Sequence, residues 1–317
     1  MALIQQANPP SPPRNATVVA WQGWRLSVPG RWSPVKLEGD YEQGYALFAD
    51  LHRPRLGMRW QKLRQGRKFK PEGATHRAMR EEVGKLAADE ARPHAIDGRD
   101  WAGPVLYLDP EPPGRDVWAG WSRSSGRLVQ LIHHARHRER ILPDMIVPAL
   151  QDLPAGPCDR APWSVFELSC VAPAGFKWAG QRLNAGDLSL TFQGKNQRQA
   201  VTVRQVAVAR LALQRMKLEQ WLAAQQNARR KHHRPTGASQ EVEIQVRGRP
   251  VKGHSRRMRR RFRFVWMWWQ PGELFTYALH DQRRDRLVVV EGTNRQIVTE
   301  VAESVGWASD MSSPSSS

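Results

Sequence analysis

A chain of 317 residues, 40% hydrophobic and 25% charged, is long enough for two ordinary cores and has a globular composition, which excludes wholesale disorder. Its 49 Lys+Arg against 30 Asp+Glu leave a formal charge of +19; 39 of the bases are arginine, so general arginine usage explains part of it, yet such a balance favours polyanions or acidic surfaces as partners. The two cysteines, Cys158 and Cys170, exclude a disulfide framework and suit a reducing compartment, with a single bridge as the lesser alternative.

Residues 1–20 carry Pro9, Pro10, Pro12 and Pro13 and no apolar run. They read as a flexible leader, neither a secretory signal nor a span. No other stretch reaches the roughly 18 consecutive apolar residues of a transmembrane helix, so a cytoplasmic protein without a membrane span is expected. From Trp21 to Val28, Trp24, Leu26 and Val28 alternate with Arg25 and Ser27 as in a half-buried strand, which Pro29-Gly30 ends in a turn. Strands follow over 45–51 and 56–60, the latter with Leu56, Met58 and Trp60 on one face, spaced closely enough to be antiparallel neighbours.

A basic loop over 64–70 leads to a helix over 76–91, whose stripe is Met79, Val83, Leu86 and Ala87 and which Pro93 stops. Strands over 105–108, 117–122 and 127–132 come next, then a closing helix over 141–153 that Pro148 kinks. The same order restarts after a linker at 154–161. Phe166 and Leu168 answer Trp24 and Leu26, Pro173 answers Pro29, and Phe176 answers Trp32. Leu188, Leu190 and Phe192 form a strand, Ala200 to Val208 the next, and Leu218, Trp221 and Leu222 mark a helix over 213–229. After strands over 241–246, 265–269 and 286–290, a last helix over 294–305 opens on a Thr293/Gln296 capping box and closes at Gly306. The tail over 308–317 is Ser-rich and disordered by composition.

The pentapeptide Val117-Trp118-Ala119-Gly120-Trp121 returns as Val265-Trp266-Met267-Trp268-Trp269, each time before an Arg-Leu-Val strand. These correspondences predict an internal duplication, with α+β repeats over 21–153 and 162–307. Each repeat would be an antiparallel β-sheet covered by helices, and the two would pack as a pseudo-dimer.

The opening strand and turn, with Phe166, Leu168, Pro173 and Phe176, the Gly186-Asp187-Leu188 strand with Leu190 and Phe192, and the Val201-Thr202-Val203-Arg204 strand resemble the PsbP-like α/β/α sandwich family. The resemblance would cover both repeats, although Gly44-Tyr45-Ala46 stands in the first where Gly-Asp-Leu is the pattern. It implies a binding scaffold rather than an enzyme.

The sharpest candidate site is the segment over 229–263, which holds 13 Lys+Arg against Glu241 and Glu243. Within it Arg229, Arg230 and Lys231, and Arg256, Arg257, Arg259, Arg260 and Arg261, form runs that repel themselves when unpaired and can contact phosphates or an acidic partner. The bland alternative is a pair of solvated loops flanking a strand. No paired-aromatic RNA-binding signature accompanies the runs. Trp266, Trp268 and Trp269 form a candidate aromatic patch if one strand face is exposed, and core residues otherwise. His133 and His137 have the i, i+4 spacing of helical metal ligands but follow a strand, so no metal or cofactor is expected. No phosphate loop, dinucleotide fingerprint or nucleophile elbow is present. The expectation is a non-catalytic adaptor or chaperone-like protein with an acidic protein partner. Nonspecific nucleic-acid binding through 229–263 and an enzyme with a dispersed site are the alternatives.

Overall fold

The structure, a computed structural model, describes residues 16–66, 68–94, 101–110, 114–134, 141–152, 160–184, 186–196, 198–227, 233–260 and 272–307. The chain divides into two compact units: one comprises the described residues of 16–156 with Ser164–Glu167, the other those of 157–163 with Leu168–Trp307.

In the first unit β1 (Ala16–Trp21) and β2 (Trp24–Pro29) form an antiparallel hairpin. Its two turn residues, Gln22 and Gly23, have φ of 48° and 79°, the left-handed pair that matches a two-residue turn to strand twist. A Cβ on Gly23 would stand 2.6 Å from the Tyr41 ring, so glycine is required there. The strand expected over Trp21 to Val28 is therefore the second arm of a hairpin whose first arm starts at Ala16. Beyond it come β3 (Ser33–Gly39), β4 (Gln43–Ala49), β5 (Pro54–Lys62), α1 (Pro71–Val83), α2 (Lys85–Asp89), β6 (Arg92–Pro93), β7 (Trp101–Tyr107), β8 (Arg115–Ser122) and β9 (Arg127–His134). A π-turn over Leu142–Ile146 then runs through α3 (Val147–Ala149) into β10 (Gln151–Asp152). Strands β3 to β9 make one antiparallel sheet in the order β3-β4-β5-β9-β8-β7-β6.

Alternation decides what each face of this sheet buries. Val117, Ala119 and Ile132 point to one face and cluster with Met79 of α1 and Val105. The opposite face carries Leu56, Met58, Trp60, Trp118 and Leu131, all buried, and Trp60 packs on Trp24 of the hairpin with ring centroids 5.6 Å apart. Each such side chain contributes about 1.5–3 kcal/mol by leaving water. On the edges of the hairpin, Gln151 pairs with Arg25, and Ser164 of β11 (Pro162–Val165) pairs with Ala20.

Arg127 ties these layers together. It is fully buried, and its guanidinium donates to the carbonyls of Gln22 at 2.6 Å, Gly23 at 2.9 Å and Tyr41 at 3.2 Å. It also forms an ion pair with the buried Asp152 and lies 4.5 Å over the Tyr41 ring. Burial pulls its pKa down to about 10, which leaves it cationic at neutral pH.

The second unit contains β12 (Leu168–Val171), β13 (Lys177–Asn184), β14 (Asp187–Gln193), β15 (Ala200–Ala207), α4 (Ala209–Ala212), α5 (Leu218–Asn227), β16 (His233–Pro235), β17 (Gln240–Val246), β18 (Arg249–Arg260), β19 (Glu273–Asp281), β20 (Arg286–Gly292), α6 (Arg295–Ser304) and β21 (Gly306–Trp307). Its main sheet has the order β13-β14-β15-β20-β19-β18-β16, with β17 also paired to β18. Strand for strand this is the path of the first sheet, with β13 in the place of β3 and β16 in the place of β6. The correspondence extends to one irregularity: β3 carries an extra residue between Pro34 and Lys36 opposite Phe48 and Leu47, and β13 one between Trp178 and Gly180 opposite Phe192 and Thr191.

Strand accounts for 53% of the described residues and helix for 20%, in three antiparallel sheets. This overturns the expected α+β class of helix-covered sheets, the α/β/α sandwich; the fold is β-rich. The helices fall short for identifiable reasons. Gly84, at φ 86°, ends α1 and leaves Leu86, expected in the apolar stripe, 85% exposed. In place of the helix expected over 141–153, Leu142–Ile146 form a π-helical turn that leads into one short helix, and the chain turns extended at Leu150. Of the helix expected over 213–229, only the ten-residue α5 forms among the described residues, and the four-residue α4 precedes that range. Conversely, residues 33–39 and 249–260 are strands. The N-cap of α6 is Asn294 rather than Thr293: its side chain accepts from the Gln296 and Ile297 amides.

Strand register also corrects the pentapeptide alignment. The place of β8 in the second sheet belongs to β19, whose Leu279 pairs with Val288 as Gly120 pairs with Val129 in the first sheet. Residues 265–269 lie outside the described residues.

Candidate basic interface

The arginine run is built into a strand. Arg247 and Gly248, with φ of 49° and 74°, make the two-residue turn that folds β17 back on β18. From Gly253 onward β18 is bonded to β19 on one side, and at Met258 to Arg260 to β16 on the other. Strand alternation then splits the run. Arg256 and Arg260 share a face with fully buried Met258 and are half-buried, while Arg257 and Arg259 share the other face and are exposed. The run therefore forms a paired strand where a solvated loop was the bland expectation. Arg229, Arg230, Lys231 and Arg261, and the aromatic candidates Trp266, Trp268 and Trp269, lie outside the described residues.

On the exposed face Arg257 pairs with Glu273 at 2.6 Å and lies 5.6 Å over the Phe275 ring. The register sets Arg259 directly opposite Glu273 on β19 and Arg234 on β16, and Arg234 is exposed as well. Like charges directly opposite on neighbouring strands repel. Three cations thus meet one carboxylate among these cross-strand neighbours.

The other face of β18 holds a feature that the sequence did not signal. Arg256, Thr276, Glu291, Thr202 and Thr191 follow one another across five strands by register. Thr276 is buried, accepts from Gln226 of α5 at 3.0 Å and donates to Glu291 at 3.2 Å, and the Thr191 and Thr202 hydroxyls are 3.1 Å apart. In the first sheet the register puts Val117 where Thr276 stands and Ile132 where Glu291 stands, both packed with Met79. Two sheets of one topology therefore carry an apolar row in one case and a hydrogen-bonded row in the other.

No family model matches this chain. No curated protein matches it either. Among solved structures, a protein from Bacteroides thetaiotaomicron is similar with a TM-score of 0.31 and 11% identity over 50% of this chain, which spans about half (53%) of that protein. The apo structure of the immunity protein TplEi of the T6SS from Pseudomonas aeruginosa has a TM-score of 0.34 and 11% identity over 93% of this chain and 98% of that one.

The remaining sequence candidates have structural settings. Trp118 and Trp121 are both buried, Trp118 edge-on to Trp101 and Trp121 beside Phe69. His133 sits on β9 rather than on a helix, buried and stacked on Trp32 at 5.7 Å, with its Nδ1 3.4 Å from Asp116; His137 lies outside the described residues. Among the described residues no group of three or more His, Cys, Asp or Glu side chains is placed to hold a metal. Cys170 is a free, buried thiol. Among the described residues no helix is long and apolar enough to cross a membrane.

Proposed function

We propose that this chain is a non-catalytic binding protein that takes an acidic protein segment on the exposed strand face bearing Arg234, Arg257 and Arg259. The observation that carries the reading is the cross-strand pairing of Arg234 with Arg259, two cations held side by side with Glu273 as the neighbouring carboxylate. Carboxylates from a partner would relieve that repulsion and form charge-assisted hydrogen bonds. The high net positive charge would speed the encounter.

The test compares affinity capture from the native host at mild salt with wild type and with an Arg234→Gln, Arg257→Gln, Arg259→Gln triple variant. A protein recovered by the wild type and lost by the variant supports the reading. Capture of no protein, or of the same proteins by both, removes it. Labelled DNA and RNA titrated against both forms decide the competing case: nucleic-acid binding that weakens steeply with salt and falls in the variant, without a protein partner, would make the partner a nucleic acid.

A further inference from the structure

A different surface of the second unit carries an independent inference. Residues 208–217, which link β15 to α5, expose Val208 (43%), Leu211 (67%) and Met216 (37%), three of the seven exposed large apolar side chains among the described residues. Val208 has φ 56° and ψ 55°, the left-handed conformation that is sterically costly for a β-branched residue. Its side chain gains little from burial, so the strain is not offset locally. Backbone bonds nevertheless fix the turn: the Val208 carbonyl accepts from Leu211 and Ala212, and the Ala209 amide donates to Asp285 at 2.9 Å. Strain of this kind concentrates where a backbone must present particular groups.

Cations accompany the apolar tips along the chain. Arg210, Arg215 and Lys217 are exposed, as is Arg283 in the neighbouring β19–β20 turn. Asp285 pairs with Arg210 at 3.1 Å, and Glu219 is the next exposed acid along the chain. In the first unit the link from β5 to α1 turns Phe69 inward, 5.2 Å from Trp121. The shared topology therefore does not force apolar exposure here.

We infer that residues 208–217 dock this protein on an anionic lipid surface, with Leu211, Met216 and Val208 entering the boundary between headgroups and acyl chains and Arg210, Arg215, Lys217 and Arg283 on the phosphates. Exposed aliphatic tips flanked by cations are the chemistry of interfacial binding, in which apolar area and attraction to anionic lipid act together. A protein partner fits less well, because Leu and Val are under-represented among the residues that dominate protein interfaces, where Trp, Tyr and Arg lead. Cations on flexible stems keep their heads in water while the apolar tips descend.

The experiment is co-sedimentation of the full chain with phosphatidylcholine vesicles, with and without phosphatidylglycerol, at several salt concentrations. Wild type is expected to bind the phosphatidylglycerol vesicles. A Leu211→Ser, Met216→Ser variant should lose about tenfold or more in partitioning, and an Arg215→Gln, Lys217→Gln variant about 25-fold, near fivefold per charge. Far-ultraviolet circular dichroism would verify that both variants fold, and both alter exposed side chains. The inference is overturned if wild type ignores phosphatidylglycerol, or if the serine variant binds as wild type does, which would make the association charge adsorption. It is also overturned if an acidic Glu/Leu peptide binds in a Leu211-dependent way while vesicles do not, since the occupant would then be a protein. The Arg234, Arg257, Arg259 variant should keep most of its vesicle binding, so this inference and the acidic-partner reading fail separately.

Discussion

Replacing Arg127 by Met would keep much of its bulk and remove its charge and donors. The carboxylate of Asp152, 4% exposed, would then be buried beside an apolar side chain, and the carbonyls of Gln22, Gly23 and Tyr41 would each lose a donor. Removing one partner of a buried pair costs about 3–5 kcal/mol, and the stranded carbonyls add about 1 kcal/mol or more apiece unless water reaches them. A loss of about 5 kcal/mol rivals the whole stability of many domains, which is about 5–15 kcal/mol. Urea titration followed by tryptophan fluorescence is a suitable assay, because Trp24 and Trp60 pack together in the same unit. The expected result is a large fall in the midpoint, partly reversed by adding Asp152→Asn, which removes the stranded charge. A cost below about 1 kcal/mol, or a double variant no better than Arg127→Met, would refute the view that Arg127 holds the hairpin to the sheet.

Four further outcomes are expected. Burial, assisted by the Arg115, His133 and Arg53 charges, lowers the pKa of His134 below its ordinary 6.5; the folded chain then binds fewer protons than the unfolded one between those two values, so stability should fall as pH drops below 6.5, and His134→Gln should flatten that slope in urea midpoints taken from neutral to mildly acid pH. The Cys170 thiol, pushed up to about 12 by burial, should resist a thiol reagent in the native protein and react once urea unfolds it, as peptide mapping would read. Asn294→Ala, which removes the cap bonds to Gln296 and Ile297, should cost about 1 kcal/mol in thermal or urea unfolding. Gly253→Ala would bring a Cβ to 2.3 Å from the Ala278 carbonyl oxygen across the sheet, and a fall in stability of about 1–3 kcal/mol is expected in the same assay.

Where one face of a strand is buried and the other is not, the chain announces it. Leu56, Met58 and Trp60 were readable because a period of two separates core from surface. The stripe of Val298, Val301 and Ala302 in α6 was readable for the corresponding reason at helical period. Strands β13 and β18 were not: along Lys177–Asn184 exposed and half-exposed residues alternate with no fully buried one, so no hydrophobic signal exists. In β18 charge hides the alternation, and only Gly253 and Met258 are fully buried. The tryptophan pentapeptide misled for a different reason: similarity of composition carries no register, and register is what places a strand. The polar row through Thr276 and Glu291 was invisible because its members are far apart in sequence and meet through strand pairing. Arg127 read as an ordinary charged residue at a strand start, since the three carbonyls and the carboxylate that hold its guanidinium lie far from it in sequence.

The matched irregularities in β3 and β13 bear on how the chain behaves in a crowd. Both strands are the outermost of their sheets on that side, and an unpaired strand edge is a template for another chain to continue. In each the extra residue, Val35 or Ala179, breaks the regular spacing of outward amides and carbonyls at the same position, and Lys36 or Arg182 stands further along as an exposed cation. A protein rich in antiparallel strand would thereby discourage its own copies from zipping onto it. Deleting Val35 or Ala179, which restores an even ladder, is the change that would invite edge-to-edge pairing between copies.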